Sequence, residues 1–174
     1  YLTPAGGLGS GLRQSTGIIL ERILLHGILH SMTNTFIGRS RELEVLDELY
    51  ESDDPELFVL FGRRRVGKTE LLQRFCEGRR AVYFLAAQVR EKDNLRGFRD
   101  ALPEGLGAPI LDGIEFPDWP SAFGFAAERS QDERLVIVLD EFPYLCESTK
   151  GLASLLQQFW DQRGTRLNLM FVLC

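Results

Sequence analysis

The chain has 174 residues, 44% of them apolar and 26% charged, with a net charge of −5. This is the balance of a soluble globular domain with a sizeable core, and the net charge gives no general argument for nucleic-acid binding. Three cysteines, Cys76, Cys146 and Cys174, are odd in number and lack metal-ligand spacing, which argues against a disulfide scaffold and points to a reducing cytoplasm. Residues 1–31 open with a Gly-rich stretch, followed by an apolar segment that Glu21 and Arg22 interrupt. That segment fits neither a secretory core nor the ~18 apolar residues of a membrane span, so no membrane partner is expected. Met32 reads as the natural start, which makes 1–31 a disordered or non-native extension and 32–174 the folded domain. His26 and His30 have the spacing of two ligands on one helix face, but Gly27 stands where a zinc protease needs its glutamate and no third ligand follows.

Phe36-Ile37-Gly38-Arg39 leads into a helix over 40–50 that Ser40 is placed to cap, with Leu43, Leu46 and Leu49 on one face. Gly38 permits a tight turn there and Arg39 offers a planar donor group. Asp53-Asp54-Pro55 ends the helix, and 56–61 reads as a buried strand. Gly62-Arg63-Arg64-Arg65-Val66-Gly67-Lys68-Thr69 then fits G-x-x-x-x-G-K-[ST] at every fixed position. A strand, a glycine loop and a helix N-terminus together form an anion site, because backbone N–H groups converge and the helix dipole adds partial positive charge. Residues 62–69 and Glu70 are the expected nucleotide-binding segment. Lys68 would reach the β- and γ-phosphates, and the Thr69 hydroxyl would hold Mg²⁺.

The helix from Lys68 runs to about Glu77, with Gly78 as its C-cap. A strand over 81–86, a short helix over 94–102 and a Pro- and Gly-rich loop over 103–117 follow. Between residues 63 and 99 eleven basic residues stand against four acids. A polyphosphate, a nucleic acid or a solvated face would each account for that excess. Asp118 is placed to cap a helix to about Gln131, with Trp119 and Phe123 turned inward. Residues 135–139 form a continuous apolar strand that delivers Asp140 and Glu141 to the carboxyl edge of the sheet, where the glycine loop also opens. Asp140 would hold Mg²⁺ through a water, and Glu141 would polarise an attacking water as general base. The adjacent glutamate favours hydrolysis over transfer to a second substrate, and the lack of an Asn-Lys-x-Asp run disfavours a guanine-specific enzyme. A helix over 151–162 and a strand over 167–173 complete an alternation that implies an α/β fold with a mainly parallel sheet covered by helices on both faces.

Three segments carry a resemblance: Phe36-Ile-Gly-Arg-x-x-Glu-Leu43, residues 62–69, and Leu139-Asp-Glu-Phe-Pro-Tyr-Leu145. From about Met32 to Cys174 the chain resembles the prokaryotic "archaeal ATPase" group, in the STAND branch of AAA+-like P-loop ATPases. The resemblance implies a P-loop NTPase three-layer α/β/α sandwich in which the last strand inserts between the phosphate-loop strand and the Asp140 strand. It implies ATP and Mg²⁺ as cofactors, Walker A and Walker B segments as described, and Ile37, Gly38 and Arg39 near the adenine. The chain departs from the group by stopping at Cys174, on the strand whose tip should carry a polar γ-phosphate sensor. Neither a fifth core strand nor an arginine finger nor a C-terminal domain is present. The expectation is therefore an N-terminal piece, truncated after the fourth core strand. It would bind ATP, and in the complete protein it would hydrolyse ATP as a nucleotide-controlled switch. The alternatives are the ATPase component of a DNA-binding or DNA-processing protein, with its DNA or protein partner engaged through the missing region, and a small-molecule kinase, for which no acceptor pocket or arginine-bearing lid is identified.

Overall fold

A computed structural model describes residues 39–174 apart from 64, 108–110, 112, 131 and 132; the expected extension over 1–31 lies outside the described residues. Along the chain run α1 (Ser40–Tyr50), β1 (Glu56–Val59), α2 (Lys68–Cys76), β2 (Ala81–Leu85) and α3 (Glu91–Leu106). They are followed by α4 (Trp119–Ala127), β3 (Leu135–Asp140), α5 (Phe142–Ser148), α6 (Leu152–Gln162), a 3-10 turn (Gly164–Arg166) and β4 (Leu169–Leu173). The strands pair in parallel in the order β1-β4-β3-β2. The last strand thus lies between β1 and β3, the insertion that the resemblance implies.

Alternation along the strands builds the layers, because successive side chains point to opposite faces. Leu135, Ile137 and Leu139 of β3, with Leu169, Phe171 and Leu173 of β4, enter one core with residues of α3, α4, α5 and α6. Val136, Val138, Met170 and Val172 enter a second core with Leu46 and Leu49 of α1 and Leu71, Leu72 and Phe75 of α2. Every residue of β3 and β4 is buried, as central strands covered on both faces must be. Each large apolar side chain so buried stabilises the fold by about 1.5–3 kcal/mol. Trp119 and Phe123 both point inward and are fully buried, and the Trp119 indole N–H donates to Thr149 Oγ1 at 3.2 Å.

Several element ends differ from the sequence expectation. Ser40 is the first helical residue rather than a cap: Leu43 N–H already bonds Arg39 O, and no side chain caps α1. Helix α3 begins at Glu91 and runs through Pro103 to Leu106, where a loop is expected from 103. The buried stripe Leu95, Phe98 and Leu102 outweighs the roughly 3 kcal/mol that an interior proline costs. Gly105 lets the same helix press against β2, since a Cβ there would lie 2.4 Å from Ala81 O. Asp118 caps α4 as expected, accepting from Ser121 N–H at 2.8 Å, but the helix ends at Ala127. There the Ser130 backbone N–H and hydroxyl both bond Ala127 O and close the terminus. The strands expected over 56–61, 81–86 and 167–173 are each trimmed, to Glu56–Val59, Ala81–Leu85 and Leu169–Leu173. Helix α5 has no counterpart in the sequence reading; Pro143 in its first turn supplies a φ already suited to a helix start.

One buried cation ties the second layer down. Arg134, just before β3, donates to the carbonyls of Leu49, Ser52 and Asp54, and so satisfies acceptors at the C-terminal end of α1.

Candidate nucleotide site

The loop between β1 and α2 is shaped by two left-handed residues, Arg65 (φ 62) and Gly67 (φ 75), on either side of Val66. Gly67 is the N-cap of α2, and its carbonyl accepts the Leu71 N–H at 3.1 Å. Glycine takes this conformation freely, whereas an arginine costs roughly 1 kcal/mol or more. The N-terminal N–H groups of α2 consequently open toward the loop with partial positive charge. Lys68 folds back over this concavity, its Nζ donating to Gly62 O and Arg63 O, both at 3.1 Å. Val66 and Lys68 are half-buried, while Gly62, Arg63, Arg65, Thr69 and Glu70 are exposed. Arg64, Ile37 and Gly38 lie outside the described residues. Of the residues expected near the adenine only Arg39 is described, at the start of α1.

The second half of the site is the carboxyl end of β3. Asp140 is its last residue and is 1% exposed. Its Oδ2 accepts from the Thr69 hydroxyl at 2.8 Å and from the Tyr83 hydroxyl at 2.5 Å. Its Oδ1 accepts the Glu141 N–H at 2.9 Å. Cys174, just beyond β4, feels the charge of the same carboxylate. Parity and register explain the meeting. Tyr83, Val138 and Val172 share the α1–α2 face, Tyr83 is level with Val138, and Asp140 follows Val138 by two. Thr69, in the first turn of α2, reaches the same point from the helix layer. Burial first, then the Asp140 hydrogen bond and charge, raise the Tyr83 phenol above its ordinary value. Burial, and after it Asp140, push the Cys174 thiol to about 12, against an opposing pull from Lys68. Both groups therefore remain protonated donors at neutral pH. Glu141 turns the chain out of the strand in a left-handed conformation (φ 55, ψ 40) and is half-buried.

The structure thus brings Lys68, Thr69 and Asp140 into one constellation and places Glu141 directly beside it. Sequence reasoning did not assign Tyr83 or Cys174 to it. The parity of Ala81-Val-Tyr-Phe-Leu85 was visible, but which β3 residue faced it depended on the register. The Thr69 hydroxyl and Asp140 carboxylate are hard oxygen donors, suited to Mg²⁺ held by one or two protein groups with phosphate and water completing the shell. Among the described residues no group of three or more His, Cys, Asp or Glu is placed to hold a metal by itself. Part of the basic excess is paired within the chain, largely at its surface: Arg79 with Asp47 at 2.7 Å, Arg90 and Arg96 with Asp93, and Arg99 with Asp100. Among the described residues no helix is long and apolar enough to cross a membrane.

A parallel α/β sandwich with a glycine loop running from its first strand into a helix N-terminus defines the P-loop NTPase fold. The chain belongs to the family described as "ATPase domain predominantly from Archaea", whose profile matches residues 36–174. It is 34% identical to an uncharacterized protein of Methanocaldococcus jannaschii over 128 residues, 72% of this chain and 26% of that protein. It is 42% identical to an uncharacterized ATP-binding protein of the same organism over 45 residues, 26% of this chain and 76% of the relative. A further uncharacterized protein of that organism is 33% identical over 52 residues, 30% of this chain and 50% of the relative. The chain therefore spans about a quarter of the length of the first of these relatives.

Proposed function

We propose that this domain binds ATP with Mg²⁺ between the 62–69 loop and the end of β3, and that in the whole protein it hydrolyses ATP as a nucleotide-controlled switch. The observation that carries the reading is the 2.8 Å hydrogen bond from Thr69 to Asp140, which joins the glycine-loop helix to the acidic strand end. Membership of the ATPase family and the relative named as ATP-binding support it. The Lys68 ammonium exchanges its two loop carbonyls for phosphate oxygens, a trade of neutral acceptors for charged ones. The N–H groups of 65–69 and the α2 dipole hold the phosphate chain. Thr69 and Asp140 would hold Mg²⁺, which would supply neutralisation of charge on the β- and γ-phosphates. Glu141 orients a water and takes its proton as the water oxygen bonds the γ-phosphorus and the bond to the β-phosphate oxygen breaks. ADP and phosphate leave, and the loop relaxes toward the lysine-on-carbonyl arrangement.

The test is a pair of measurements on wild type and Glu141→Gln. The variant is expected to keep the affinity for a fluorescent ATP analogue and to lose phosphate release by the whole protein. Retained turnover would remove Glu141 as the base, and absence of nucleotide binding by folded wild type would remove the function.

A further inference from the structure

A carboxylate offers about four lone-pair positions. In this fold both positions on Oδ2, the oxygen that faces Thr69, are filled by the chain's own donors, the Thr69 and Tyr83 hydroxyls, while Oδ1 accepts the Glu141 N–H. For a metal ion held beside Thr69 to reach Oδ2, directly or through a metal-bound water, one of the donors on that oxygen has to give way. The Thr69 hydroxyl need not leave, because a hydroxyl that donates its proton keeps lone pairs with which to ligate a cation. The Glu141 N–H belongs to the backbone of a left-handed turn and moves only if that turn opens. This leaves the Tyr83 hydroxyl, 2.5 Å from the same oxygen that faces Thr69.

We propose that Tyr83 is a positioning residue that holds the Asp140 carboxylate in the metal-free state and yields its place on Oδ2 when Mg²⁺ arrives, so that it sets the Mg²⁺ concentration at which the nucleotide site assembles. The inference rests on the Mg²⁺-ATP reading above and adds a residue and a regulatory quantity to it. Its physical basis is a difference between two states. Without metal, the phenol is the second donor on Oδ2 of a buried anion, and losing it leaves that oxygen with Thr69 alone. With metal, the same phenol competes for the lone pair. Removing it destabilises the first state and not the second, so the variant binds metal more tightly. The aromatic ring remains packed in either case in the core between the sheet face that carries Val138 and helix α2, which contributes Phe75.

The experiment measures affinity for a fluorescent ATP analogue over a series of free Mg²⁺ concentrations, for wild type and Tyr83→Phe. The half-saturating Mg²⁺ concentration is expected to fall about tenfold in the variant, the worth of one hydrogen bond to a charged group. An unchanged or higher value would overturn the inference, since a tyrosine that merely packs would lower thermal stability and leave the Mg²⁺ threshold alone. A second measurement needs no variant to fold: Mg²⁺ added to ADP-loaded wild type should perturb the tyrosine ultraviolet difference spectrum as the phenol loses its carboxylate partner. No perturbation would overturn the inference equally. If wild type shows nucleotide binding with no Mg²⁺ dependence, the metal reading itself fails, and that outcome is visible before any variant is made.

Discussion

The two halves of the site are built on opposite plans. Lys68 is half-buried at the first residue of α2, and its acceptors are carbonyls five and six residues back in the loop that leads into that helix. Asp140 is almost wholly buried, and its donors Thr69 and Tyr83 come from 71 and 57 residues away. The cationic half is a local device that the chain carries wherever it folds as strand, loop and helix. The acidic half exists only once β2, β3 and α2 have been assembled. The lysine's partners can be replaced by water or phosphate at little cost, whereas the carboxylate's partners are part of the fold.

If that contrast holds, removing the two groups should damage different properties. Asp140→Ala leaves the Thr69 and Tyr83 hydroxyls and the Glu141 N–H without their acceptor, and is expected to lower stability by about 3 kcal/mol, read from urea unfolding. A variant as stable as wild type would erase the distinction between the halves. Lys68→Ala should leave the unfolding midpoint nearly unchanged while weakening the fluorescent ATP analogue about a hundredfold, the worth of a charge-assisted contact to phosphate. A comparable loss of stability would show that the loop, too, is structurally indispensable.

Alkaline pH gives a smaller, graded effect. Burial pushes Cys76 to about 11 and Cys174 to about 12, both above the ordinary thiol value of 9.0. Their folded values are raised, so the stability that they contribute is present below pH 9 and is lost progressively as pH rises toward 11 and 12. Urea midpoints that fall across that window, and fall less in Cys76→Ala, would sharpen the comparison by isolating the thiol beside Asp140. The smallest expected change is Arg65→Gly, which relieves a left-handed arginine in the loop. Thermal unfolding should show a gain of at most about 1 kcal/mol, with nucleotide affinity little altered. A large loss of affinity would assign the Arg65 side chain a phosphate contact and make the cationic half less purely a matter of backbone.

Local pattern reached furthest where the physics is local. The glycine loop, the Asp118 cap, the inward-facing Trp119 and Phe123, and the two acids closing a β-branched strand were all legible, because each depends on a few consecutive residues. Pro103 misled for the complementary reason. Its breaking tendency is a local preference, and the packing of Leu102 and the close approach of Gly105 to β2 override it. Helix α5 was missed because seven residues are too few to show a period.

By itself, then, the sequence determined that this protein alternates strands and helices, opens an anion-binding loop after its first strand, and carries a carboxylate pair at the end of an apolar strand. The place of β4 between β1 and β3 followed from the resemblance rather than from any one segment, and only the tertiary structure decided the strand register and that Tyr83 and Thr69 converge on Asp140. Strand order and register are set by which faces can be buried together, a property of the assembled layers that no single segment contains.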